Sequence, residues 1–188
     1  MKKIVPLLAL LIMVGTARAA DTYVIDPTHT FPSFEIDHLG FSTFRGRFDK
    51  TRGTITLDLA RKSGTADVTI DVASVSTGVD KLNEHLLKDD FFDVAKYPTI
   101  RFTSKDFRFE GDRLVAVKGD LSMHGVTRPV TLTVTRFACK EHPLKKIPAC
   151  GADGHATIRR SEWGISTYSP SVGEEVTLRI EVEAHRQP

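Results

Sequence analysis

Residues 176–183 read VTLRIEVE, with Val176, Leu178, Ile180 and Val182 on one side of the chain and Thr177, Arg179, Glu181 and Glu183 on the other. A repeat of two is the signature of a strand with one buried face and one wet face. Upstream, Val130, Leu132 and Val134 alternate with threonines 131, 133 and 135. Ala66, Val68, Ile70 and Val72 alternate with Asp67, Thr69 and Asp71, and Phe34, Ile36 and His38 with Ser33, Glu35 and Asp37. Ile55, Leu57 and Leu59 share a face, as do Ile100 and Phe102, and Val115, Val117, Leu121 and Met123.

Glycine-bearing turns fall between these runs at Arg52-Gly53, Ser63-Gly64, Glu110-Gly111-Asp112, His124-Gly125 and Val172-Gly173, where short antiparallel connections need them. Between Ser74 and Pro98 the period changes. Val79, Leu82, His85 and Leu86 recur at three and four, which predicts one short helical excursion over about 79–88. Strands that are apolar on only one face suit an antiparallel sheet curled round its own core. The expected class is therefore all-β, an antiparallel barrel of about eight strands, with a β-sandwich as the competing architecture.

The first 20 residues, MKKIVPLLALLIMVGTARAA, carry a basic start, one apolar run and small residues at Ala17 and Ala19. They read as a secretory signal peptide over 1–19, cleaved after Ala19, and not as a permanent membrane anchor, because the apolar run is shorter than the roughly 20 residues a span needs. Residues 20–188 then form a single exported domain, which places the protein in the periplasm. The chain has 26 basic and 24 acidic residues. Removing Lys2, Lys3 and Arg18 leaves 23 against 24, a net charge of −1. No basic block with interleaved aromatics remains to bind nucleic acid.

The two cysteines, Cys139 and Cys150, bracket a charged, proline-bearing stretch, and export makes a disulfide their natural state. Closing a loop of about a dozen residues stabilises a chain by ~3 kcal/mol. Paired zinc-ligand spacing is absent, as are a G-x-S-x-G elbow, a phosphate-binding glycine loop and H-E-x-x-H. The chain reads as a non-enzyme without a metal or cofactor. His29, His38, His85 and His124 are expected in structural roles. Phe31, Phe34, Phe41, Phe44 and Phe48 crowd one region, and Phe91, Phe92 and Phe102 another. Such rings either fill a core or line an apolar tunnel. Arg45 and Arg47 beside them are either solvated strand residues or contacts for a head group.

Several longer segments share one source. Asp26-Pro27-Thr28-His29, HLGFSTFRGRF at 38–48, LNEHLLKDDFFDVAKYPTIRFTS at 82–104, GDLSMHGVTRPVTL at 119–132 and RRSEWGI at 159–165 together resemble the YceI-like family of exported polyisoprenoid-binding proteins. The resemblance implies a lipocalin-like barrel whose elongated cavity holds an isoprenoid chain, such as a quinone tail or a polyprenyl phosphate. With strand parity it points to a ligand-binding set. Phe34, Ile36, His38, Phe41 and Phe44 come from the first aromatic region, and Leu82, Leu86, Phe91 and Phe92 from the helical one. Ile100, Phe102, Val117, Leu121 and Met123 complete it. The Cys139–Cys150 loop is an addition to the shorter family members. Rival readings are a fatty acid or fatty amide in the same cavity, or a filled barrel presenting its surface to a membrane redox protein; the sequence leaves monomer and dimer both open.

Overall fold

In a computed structural model the described residues are 20–187, so the signal-peptide reading over 1–19 lies outside them. The alternating segments become strands β1 (Asp21–Ile25), β2 (Ser33–His38), β3 (Ser42–Phe48), β4 (Thr51–Asp58), β5 (Ser63–Asp71), β6 (Val75–Ser76), β7 (Thr99–Glu110), β8 (Arg113–Met123), β9 (Val126–Glu141), β10 (Pro148–Arg159) and β11 (Val172–Arg186). The 3.6-period stretch forms helix α1 (Asp80–Leu86), one residue shorter at its start and two at its end than the spacing implied. Its N-cap, Val79, offers no side-chain acceptor, so nothing extends the first turn.

Eight strands, in the order β1-β4-β5-β7-β8-β9-β10-β11, close into an antiparallel barrel through the β1–β11 pairing. A sandwich has no such closure. The other three prolong its wall. β11 pairs with β1 through Ala184–Arg186 and, further along the same edge, with β2 from Arg179 back to Val172. β1 and β2 are thus two halves of one stave, broken at 26–32, and β3 with β4 forms another, broken at 49–50. β5 and β6 form a third, interrupted by the 3-10 turn Val72–Ser74. The eleven segments make eight staves.

The break at 26–32 is built by Asp26. Its Oδ1 accepts from the Thr28 amide at 2.9 Å and the Thr28 hydroxyl at 2.6 Å, and Oδ2 lies 3.1 Å from His29 Nδ1 and 3.4 Å from Lys145 Nζ. Burial alone would push this carboxyl up, but those hydrogen bonds outweigh it and hold it well below the usual carboxylate range. Lys145 belongs to the loop closed by the Cys139–Cys150 disulfide. The bridge and the ion pair fasten that loop to the start of the barrel.

Bulges correct the simple alternation, two of them with consequences for which side chains face inward on β8 and β9. Arg108 pairs with Ala116 but Phe109 with Leu114, so Val115 is an extra residue and Leu114, not Val115, turns inward. Thr135 is the extra residue opposite Asp153/Gly154, which sends Phe137 inward after Val134. Leu59 falls beyond the end of β4 and is exposed.

Candidate functional site

The inward faces do not meet. They enclose a cavity of about 510 Å³ that runs along the barrel, within the range of pockets that take small-molecule ligands. Its far end is sealed by Tyr23, Leu57, Cys150 and Ala184, none more than 8 % exposed, with Ile55, Phe107, Phe137 and Cys139 packed against them. At the other end the wall is made by β2, β3, α1 and the loop after β10, where lining residues such as Leu82, Leu86, Phe91 and Tyr168 are only partly covered. That end is the mouth.

The side wall closes by a different device. The β9–β10 ladder ends at the Thr133–His155 pair, beyond which the two strands lose register. A 3-10 turn, Arg160–Trp163, fills this position. Trp163 is 2 % exposed and donates from Nε1 to the Leu121 carbonyl at 3.1 Å. Arg128 Nε donates to the Glu162 carbonyl at 2.7 Å.

Among the described residues Arg160 is the only lysine or arginine bordering the cavity, and it is already engaged. Its Nε, Nη1 and Nη2 donate to the carbonyls of Gly173, Ile165 and Val172 at 2.8, 3.3 and 2.9 Å. Burial lowers its pKa, and nearby Glu174 opposes the shift. Arg160 is a strut for the mouth loop. Arg45 and Arg47 lie on the outer surface, not at a head-group position. Arg45 pairs with Glu35 at 3.0 Å, and Arg47 pairs with Asp49 at 2.7 Å and lies over the Phe31 ring. Hydrogen bonds from Arg45 and Arg179 hold the Glu35 carboxyl below its ordinary range.

Except for Phe41, every residue expected at the site borders this cavity. Phe34, Ile36, His38 and Phe44 form the wall near the mouth, and Leu82, Leu86, Phe91 and Phe92 one side of it. Ile100, Phe102, Val117, Leu121 and Met123 line the middle. Phe41 stands outside, 88 % exposed at the tip of the β2–β3 hairpin. Phe41 is one residue out of parity with Phe34, Ile36 and His38, and it lies in the turn after β2, where Leu39 and Gly40 both have positive φ.

Residues that sequence reading passed over also border the cavity. Leu132, Leu178 and Val182 sit on alternating faces already visible in the sequence. Tyr168, in an irregular loop, carries no periodic signal. Its ring lies 6.2 Å from both His85 and Phe91, and His85 Nε2 lies 3.0 Å from Asp90 Oδ2. His124 Nδ1 lies 2.9 Å from the Trp163 carbonyl, and no cluster of three or more His, Cys, Asp or Glu suited to a metal occurs among the described residues.

This geometry has counterparts. The family profile described as YceI-like domain matches residues 23–184. The chain is 38% identical over 184 residues to Protein YceI of Escherichia coli O6:H1, an alignment covering 95% of this chain and 94% of that one. The structure is similar to that of the YCEI protein of Campylobacter jejuni, with a TM-score of 0.70 and 28% identity over 81% of this chain and 90% of that one. It also shares its fold with a polyisoprenoid binding domain from Saccharophagus degradans, with a TM-score of 0.67 and 20% identity over 88% of this chain and 98% of that one.

Proposed function

The chain belongs to the YceI-like family, and on that premise we propose that it is an exported, non-catalytic protein that holds an isoprenoid lipid in its barrel for carriage, storage or scavenging. The observation that carries this reading is the cavity itself: about 510 Å³, walled almost throughout by aliphatic and aromatic side chains, sealed at one end and open at the other. The description of the Saccharophagus degradans domain as polyisoprenoid-binding supports the same ligand class. The Cys139–Cys150 bridge supports an oxidising compartment, the periplasm. Among the described residues no helix is long and apolar enough to cross a membrane.

Such a site needs few polar contacts. Each methylene taken from water contributes ~0.8 kcal/mol, so a dozen shielded carbons supply on the order of 10 kcal/mol before the chain's ordering cost is subtracted. A fatty-acid carboxylate, by contrast, would want an available cation. Arg160, the only lysine or arginine bordering the cavity among the described residues, spends its donors on three backbone carbonyls. The wall therefore favours cargo with an uncharged end inside the barrel, such as the isoprenoid tail of a quinone.

Titration of delipidated protein with a prenyl quinone, followed by quenching of Trp163, tests the reading. Saturable one-to-one binding that palmitate does not displace is the expected result. No saturable binding of any prenyl quinone or polyprenyl phosphate would overturn it.

A further inference from the structure

Large apolar side chains that remain exposed on this barrel concentrate at the mouth. Leu39 is 49 % and Phe41 88 % exposed at the β2–β3 tip, Tyr168 58 % in the facing loop, and Val79 50 % at the start of α1. The remaining two, Leu59 and Leu144, stand apart in separate turns at the sealed end, as single apolar surface residues commonly do. At the mouth the exposed groups are held as a unit. The Leu39 amide donates to the Ser171 carbonyl at 3.0 Å and the Val172 amide to the Tyr168 carbonyl at 2.8 Å, tying the hairpin tip to the Tyr168 loop.

Leu39 and Tyr168 both have φ of 59°. Bulky residues avoid this left-handed region, and they are retained there where the surroundings force it, often at functional positions. Here the turn aims apolar groups at solvent. Tyr168 also borders the cavity, so the outer rim is continuous with the inner wall. Two of the rim's segments carry no charge, since HLGFSTF at 38–44 and ISTYSPSV at 165–172 contain no lysine, arginine, aspartate or glutamate, and the third, α1, adds exposed Asp80, Lys81 and Glu84, so the rim has no excess of positive charge.

We propose that the mouth docks on an electrically neutral lipid bilayer, with Leu39 and Phe41 immersed and Tyr168 at the head-group boundary. This inference rests on the reading of the cavity as a holder of isoprenoid lipid and adds how that cargo enters. A rim without net positive charge gains nothing from anionic lipids, whereas Phe, Leu and Tyr partition readily into the interface. Docking mouth-down joins the cavity to the acyl layer. Cargo then slides between membrane and barrel without crossing water.

The test compares the wild-type protein with the double variant Leu39→Asn, Phe41→Ser; asparagine tolerates positive φ, and Phe41 is too exposed to matter for folding. Co-sedimentation with phosphatidylcholine vesicles should fall at least tenfold in the variant. Uptake of a prenyl quinone from those vesicles should slow by a similar factor, while affinity for a short-chain prenyl quinone added from solution stays unchanged. Wild-type co-sedimentation no stronger than that of the variant, or equal uptake rates, would overturn the proposal. So would a variant that alters only the sedimentation-velocity mass, which would give the rim to a second copy of the chain. Loss of short-chain binding in both proteins would sink the cavity reading instead, and vesicle co-sedimentation would still decide docking.

Discussion

The ring of Phe34 packs against Gly46, its cross-strand partner, so closely that a methyl group built on Gly46 would overlap the ring. The rings of Phe102 and Phe107 crowd Gly119 and Gly64 as closely, though neither glycine is the ring's direct register partner. An aromatic ring packed against a glycine takes the room a side chain would need there and stays close to the wall. These close contacts hold three of the large rings against the wall of the cavity.

Gly46→Ala should therefore lift Phe34 into the cavity. The contact is with the end of a side chain and not with backbone, so the fold accommodates it at about 1–3 kcal/mol, the usual cost of overpacking. Prenyl-quinone affinity should fall at least tenfold. Unchanged affinity in a variant of near-normal stability would mean that Phe34 does not shape the ligand space.

Phe102→Glu places a carboxylate in the middle of the apolar wall, where Arg160, the only lysine or arginine bordering the cavity among the described residues, is already engaged by backbone carbonyls. Lipid loading should be lost, and stability should drop by about 3–5 kcal/mol, as for removal of a large buried aromatic. Circular dichroism separates the two effects. A folded variant that still loads lipid would put Phe102 outside the tunnel.

Much of this wall is legible in the sequence, because burial on one face imposes a period of two that physics cannot disguise. VTLRIEVE gives the inward set of β11 without error, and the seven alternating runs fall in seven different staves, leaving only β10 without one. Bulges and turns defeat the rule. One inserted residue flips every side chain beyond it, which is why Leu114 replaces Val115, and the turn after β2 carries Phe41 out of the wall. Whether a ring stays close to the wall depends on which glycine faces it across a ladder, as with Gly46 and Phe34, and no single strand contains that information. Tyr168 and Arg160 act from irregular segments whose path is set by carbonyls elsewhere.

The disulfide closes a loop with a sequence separation of 11 and anchors the sealed end. Replacing both Cys139 and Cys150 by serine should lower the unfolding free energy by ~2–4 kcal/mol, mainly by freeing the unfolded chain. Denaturant unfolding of the variant reads this directly. A change below about 0.5 kcal/mol would show that the Lys145 and Asp26 contacts hold the loop alone.

Asp26 gives the fold a pH dependence of known sign. Its carboxyl is held well below the unfolded value of about 3.9, so the native state prefers the ionised form. The stabilisation is full at neutral pH and declines as pH falls below that value, when the unfolded chain takes up the proton first. Asp26→Asn should cost about 1.5–3 kcal/mol at pH 7, as for hydrogen bonds to a charged group. The gap between wild type and variant should narrow below about pH 4. A constant gap from pH 7 to pH 3 would assign the loss to packing.

The most direct measurement is native mass spectrometry of the protein purified from its own cells, with a second portion extracted into organic solvent. Occupancy of the barrel by one prenyl lipid, seen as a mass increment that extraction removes and identifies, is the predicted result. An empty native mass that added prenyl quinones and polyprenyl phosphates fail to raise would contradict the account.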